Sequence, residues 1–146
     1  MKWLWIIVLG FVVIIGVIFA CGAMLPVAHV ASRQARFRKS PEALWAAIAR
    51  EKTFRDGDVN YEVTESIAPR KLVTRIADKN LPYGGSWTYE ISPDGAGSAL
   101  RITENGEVYN PLFRFVSRFI TGHKATIDNR LRDLAKQFGE SVNIED

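Results

Sequence analysis

The sequence predicts an α+β domain, an antiparallel sheet followed by one long C-terminal helix, set behind a single membrane-spanning helix. Three features of the 146-residue chain carry that prediction. Trp3 to Leu25 is a run of 23 residues without a charge. Between Val59 and Glu104, short segments alternate apolar and polar residues and are divided by Gly and Pro turns. From Asn110 to Phe138 the apolar residues recur with a helical period.

As a helix, Trp3 to Leu25 covers roughly 34 Å, enough for the hydrocarbon core of a bilayer with some tilt. Trp3 and Trp5 suit the headgroup layer at one end, and Pro26 stops the helix at the other. A cleavable signal has a shorter apolar stretch, and here Ala20 to Ala23 lies inside the run rather than after it. Ile18 to Cys21 also resembles a lipobox, although the bulky Phe19 fits it poorly. The expected arrangement is a single-pass anchor at residues 3–25 in the cell membrane. Arg33, Arg36, Arg38 and Lys39 follow the helix, so the positive-inside rule places the domain in the cytoplasm.

The remaining residues make one domain, expected over residues 29–140. Val30 to Arg38 reads as an edge-like first strand. Ser40-Pro41-Glu42 starts a short helix with a capping hydroxyl, a proline and an acid at the positive dipole end. Leu44, Trp45, Ile48 and Ala49 form its apolar stripe. Asp56-Gly57-Asp58 predicts a hairpin turn, and Val59 to Ser66 and Lys71 to Ala77 the next strands. Leu81 to Gly85 reads as a turn, and Ser86 to Ser92 as a strand with Trp87, Tyr89 and Ile91 on one face. Pro93 to Gly97 is a further turn, and Ala99 to Glu104 the last strand, with Leu100 and Ile102 on its apolar face. Asn110-Pro111 then opens one helix expected to run unbroken to Phe138.

Three strings resemble bacterial members of the SRPBCC superfamily, which includes START lipid-transfer domains and polyketide cyclase-like proteins. They are LPYGGSWTYE from Leu81 to Glu90, ITENGEVYNP from Ile102 to Pro111, and RFVSRFITGH from Arg114 to His123. The resemblance covers nearly the whole chain, including a subgroup with one membrane helix and a Leu-Pro exit like Leu25-Pro26. It implies the helix-grip fold, a curved antiparallel sheet around a long C-terminal helix, and an apolar cavity that binds a hydrophobic small molecule or lipid. The chain departs from that pattern after its first helix. Only residues 50–60 stand where the family places a second short helix and another strand, so a smaller cavity, open at one side, is expected.

On this reading Trp87, Tyr89, Phe115, Phe119 and His123 are the candidate ligand-binding residues. His123 falls four residues after Phe119 and four before Ile127, on the core face of the expected helix. A packed histidine fits that position equally. Glu104 and Glu107 flank Asn105-Gly106 and suit either acid–base chemistry or exposed strand ends across a turn; the latter is expected. Basic residues outnumber acidic ones on the final helix, which suits anionic headgroups or simple solvation.

The net charge of +3 is mild, and no nucleic-acid motif, phosphate loop, metal-ligand cluster or nucleophile elbow is present, so no cofactor and no nucleic-acid partner are expected. Ser86 and Ser98 have no base at readable spacing, and Cys21, the single cysteine, has no intrachain partner. No catalytic residue is assigned. The expected function is binding of an apolar small molecule or lipid at the membrane. A polyketide cyclase- or lyase-like enzyme and a cavity-free interaction module are the alternatives.

Overall fold

The computed structural model describes residues 2–50 and 52–146. Helix α1 (Lys2–Met24) precedes β1 (Ala28–Phe37), α2 (Pro41–Ile48) and the strands β2 (Thr53–Asp56), β3 (Val59–Ile67), β4 (Lys71–Ile76), β5 (Tyr83–Asp94) and β6 (Gly97–Val108). Then come α3 (Pro111–Val116), a π-helical turn (Ser117–Thr121), α4 (Ala125–Gln137) and the two-residue β7 (Ile144–Glu145). The seven strands form one antiparallel sheet in the order β2-β3-β4-β5-β6-β1-β7.

Local signals act as their chemistry dictates. The Ser40 hydroxyl accepts from the Ala43 N–H at the start of α2, and Gly57 closes the β2–β3 hairpin with a positive φ. Strand β1 pairs with β6 along its length, from Ala28 opposite Glu107 to Phe37 opposite Ser98. On its other side it pairs with β7 only at Gln34 and Ala35, so it is edge-like for most of its length.

Two expectations need correction. Asn105-Gly106 is not a turn: β6 runs straight through it to Val108, because each residue there is paired with β1 and β5 on either side. Likewise Gly84 and Gly85 belong to β5, opposite Glu107 and Gly106. The C-terminal helix is also not continuous. Gly122 has φ of +71°, which no helix residue adopts, and the chain turns there before α4 begins at Ala125. Apolar periodicity persists across the break and conceals it, since both halves carry one apolar face.

Helix α4 covers the concave side of the sheet. Ile127, Leu131 and Leu134 are fully buried against Ala31, Ala35, Phe37, Leu100 and Ile102, with Leu44 and Ile48 of α2 beside them. Each such aliphatic side chain contributes about 1.5–3 kcal/mol by leaving water. Arg33 lies on the inward parity of β1, and its Nε donates to Asp128 of α4 at 2.8 Å while Nη2 donates at 3.2 Å. The third guanidinium nitrogen, Nη1, donates to Asp146 beyond β7 at 2.7 Å. This two-pronged pair fixes the rotation of α4 on the sheet.

Leu131→Ala opens a cavity at the centre of this seal and is expected to cost about 2–5 kcal/mol. A urea titration checks it, through the fall in the unfolding midpoint. A change within error would mean that α4 is not the element that closes the core.

Candidate functional site

Beyond the aliphatic seal, the inward face of the sheet turns aromatic and leaves a cleft of about 400 Å³ beside α4. Its floor consists of cross-strand pairs, Tyr89 opposite Leu72 and Trp87 opposite Thr74. Alternation along β4 and β5 puts these four side chains on one face. Tyr61 of β3 and Phe54 of β2 stack at 5.2 Å between ring centroids and form a side wall. Ile48 closes the base, while Thr126, Asn129, Arg130 and Asp133 of α4 form the opposite wall. The mouth carries Arg50 and Asp56, both exposed. They lie in the shortened stretch after α2, so the cleft opens on that side. Burial pushes the Tyr89 hydroxyl up and Arg130, bonded to it, pulls partly back, so it is a neutral donor at ordinary pH.

A second space of about 340 Å³ adjoins the first across Tyr61, Trp87 and Thr126, which line both. Its polar end holds His29 and Glu104. His29 Nε2 lies 3.6 Å from Glu104 Oε1, and the His29 ring stacks on His123 with centroids 3.7 Å apart. The Trp87 indole lies cross-strand from Glu104 and favours its carboxylate form. The other oxygen, Oε2, is buried with no partner among the described residues. His29 fits only because its cross-strand neighbour is Gly106; a methyl there would overlap the imidazole.

Burial works against charge on all three groups. It raises the Glu104 carboxyl above its usual range, an effect Trp87 partly offsets. It lowers both imidazoles, with His123 adding to the effect on His29, and Arg118 to that on His123. At 3.6 Å an ion pair would shift His29 and Glu104 the other way, so desolvation is the larger effect here. The imidazole and the carboxyl thus face each other at 3.6 Å, and burial favours the neutral form of each.

Trp87 and Tyr89 line the cleft. Phe115 and Phe119 do not: they meet each other at 4.9 Å on α3 and the π-turn, and Phe119 is 63% exposed. His123 sits in the helix break and reaches the site only through His29. Glu104 faces inward, contrary to the expected exposed end, while Glu107 is exposed and accepts from the Tyr109 hydroxyl at 2.6 Å. Tyr61, Leu72, Thr74, Arg130 and His29 were not singled out as ligand residues. A signal existed for Glu104, which shares the parity of Leu100 and Ile102, and for Tyr61, which shares that of Val63. Among the described residues, no three His, Cys, Asp or Glu side chains are placed to hold a metal ion.

No family model and no curated protein matches the chain. Solved structures do match. A conserved protein from Geobacillus kaustophilus superposes with a TM-score of 0.57 at 13% identity, covering 80% of this chain and 100% of that one. A protein from Mesorhizobium loti gives 0.51 at 17% identity, covering 75% and 97%. One from Rhodobacter sphaeroides gives 0.50 at 16%, covering 77% and 97%. At such identities the likeness speaks to the fold alone. The chain is an α+β helix-grip protein, a curved antiparallel sheet closed by a C-terminal helix, preceded by a helix long and apolar enough to cross a membrane.

The Glu104 carboxyl gives a pH test. Unfolded, it ionises near 4.5; folded, it resists. Folding stability from this group therefore falls as pH rises from 4.5 through the raised value. The histidines run oppositely: as pH drops below 6.5 the unfolded chain gains protons that the folded one resists, and stability falls. Glu104→Gln is thus expected to raise the thermal midpoint at pH 7 but not at pH 4, leaving the acid-side loss in place. Thermal melts across that range would disprove the assignment if the variant and wild-type curves stay parallel.

Proposed function

We propose that this domain binds a small amphipathic molecule or lipid in the aromatic cleft, beside a membrane to which α1 anchors it. The observation that supports this most is the cleft itself. Trp87, Tyr89, Tyr61 and Phe54 offer flat apolar surface, and Arg50 and Arg130 stand at its margin as counter-charges for an anionic group. A ligand burying about 200 Å² of apolar surface there would gain roughly 5 kcal/mol before ordering costs. Membership of the SRPBCC superfamily, in its membrane-anchored bacterial subgroup, is proposed with this reading. Residues 3–25 are then the anchor and residues 29–140 the binding domain.

Orientation follows from the charges after the helix. Arg33, Arg36 and Arg38 follow α1 closely in sequence, and each is paired with acids, Arg33 with Asp128 and Asp146, Arg36 with Asp94 and Arg38 with Glu140. They favour a cytoplasmic domain. Of the ligand residues expected from sequence, Trp87 and Tyr89 are kept in the proposal; Phe115, Phe119 and His123 lie outside the cleft.

The half-buried Glu104 beside His29 favours a second reading, acid–base turnover of the cleft ligand in the manner of a cyclase. In that case Glu104→Gln and His29→Gln would abolish turnover while leaving binding intact.

Native mass spectrometry of a chain beginning at Val27, purified without detergent, tests the binding reading. A reproducible extra mass is expected. Thr74→Phe, which fills the floor between Trp87 and Leu72, should lose it while keeping the wild-type circular dichroism. A folded protein with a bare mass in every preparation would sink the proposal.

A further inference from the structure

The segment after β6 is fastened to the end of α1. Gly22, the one buried residue of that helix, lies against the Pro111 carbonyl, and a methyl at Gly22 would overlap it. Arg114 Nη1 donates to the Leu25 carbonyl at 2.8 Å, a cation placed at the negative end of α1, and Nη2 donates to Tyr109 at 3.2 Å. The Val108 N–H bonds the Val27 carbonyl at 2.9 Å. Asn110 caps α3 through Leu112 and Phe113, with Pro111 in its first turn. Three contacts therefore hold α3 and the π-turn level with the point where α1 ends.

That segment carries the largest apolar exposure outside α1. Phe113 is 51% exposed, Phe119 63% and Ile120 71%, with Val116 between them on the same side. None of them enters the buried core described above. Eleven residues from Pro111 to Thr121 span roughly 16 Å, with Tyr109 exposed just before them and Arg118 and Lys124 exposed at the far end. Aromatic and apolar side chains bordered by basic ones match the layer between hydrocarbon and headgroups. We propose that α3 and the π-turn form a second membrane-contact element, lying in the bilayer interface with Phe113, Val116, Phe119 and Ile120 inserted among the acyl chains and Arg118 among anionic headgroups.

This rests on α1 being the anchor. The bilayer is favoured over a second copy of the chain because α1 fixes the segment at the height of the membrane surface, and because the exposed Arg118 complements anionic lipid, Lys124 being paired with Asp146. Such a contact would pin the domain on its side and set the position of the cleft relative to the lipid, which a single flexible helix cannot do.

Spin labels on the full chain test it, in vesicles of equal phosphatidylcholine and phosphatidylglycerol. Single cysteines at Val12→Cys, Phe119→Cys, Ile120→Cys and Ala96→Cys are placed in a Cys21→Ser background. Ala96 lies in the turn at the far end of β6 and serves as the aqueous reference. Collision with oxygen against a water-soluble nickel chelate reports depth. Labels at positions 119 and 120 are expected at interface depth, position 12 deeper and position 96 in water. If position 12 is deep while 119 and 120 match 96, the contact is refuted and the anchor stands. If position 12 is aqueous, the anchor reading falls and this inference with it. Labels at 119 shielded from both reagents and coupled to a second copy would instead reveal a dimer face and overturn the proposal.

Discussion

The structure depends on how far one short helix can cover a curved sheet. Helix α4 has 13 residues, about 20 Å, and its Ile127, Leu131 and Leu134 seal only the stretch of sheet formed by β1, β6 and the inner part of β5. Arg33 and Asp128 fix its rotation, so it cannot slide to cover more. The strands beyond it, β2 to β4, must present an inward face to something other than α4. Of their inward residues Leu72 joins the edge of the core with Val63 against it, while Tyr61 and Thr74 face a cleft. A larger covering layer is absent because few residues separate α2 from β2. The same shortness that limits the fold opens its interior.

Polar chemistry gathers at the opposite end of the same face. His29 follows the end of α1, Glu104 comes from the middle of β6, and His123 from the break before α4. None is adjacent in sequence, and the burial that brings each near the others disfavours its charged form. Trp87 connects this end to the aromatic cleft, lying cross-strand from Glu104 while forming the wall of both spaces. A ligand in the cleft would therefore meet apolar rings first and the Glu104 carboxyl next. The break at Gly122 has two consequences at once. It lets His123 turn toward His29, and it separates α4, which belongs to the core, from α3 and the π-turn, which belong to the end of α1.

Much of this was legible from the residues alone. The uncharged run ending at Pro26, the Ser40 and Asn110 caps, the Asp-Gly turn and the alternation around Trp87 all act through neighbours within a few positions, so local chemistry determines them. The sequence thereby set the apolar helix, the strand order along the chain and the inward face of β5. Tertiary structure decided the rest. Asn105-Gly106 reads as a turn but is held as strand by partners on both sides, β1 and β5, which lie far away in sequence. Phe115 and Phe119 read as ligand-facing because periodicity reports that a helix has an apolar face, not what covers it. Only the placement of α3 beside α1 decides that this face meets something other than the sheet. The cleft was signalled only by the short stretch after α2 and by Trp87 and Tyr89; its walls have no signature along the chain. It exists because α4 is shorter than the sheet it closes, and that shortfall is visible only once both are folded.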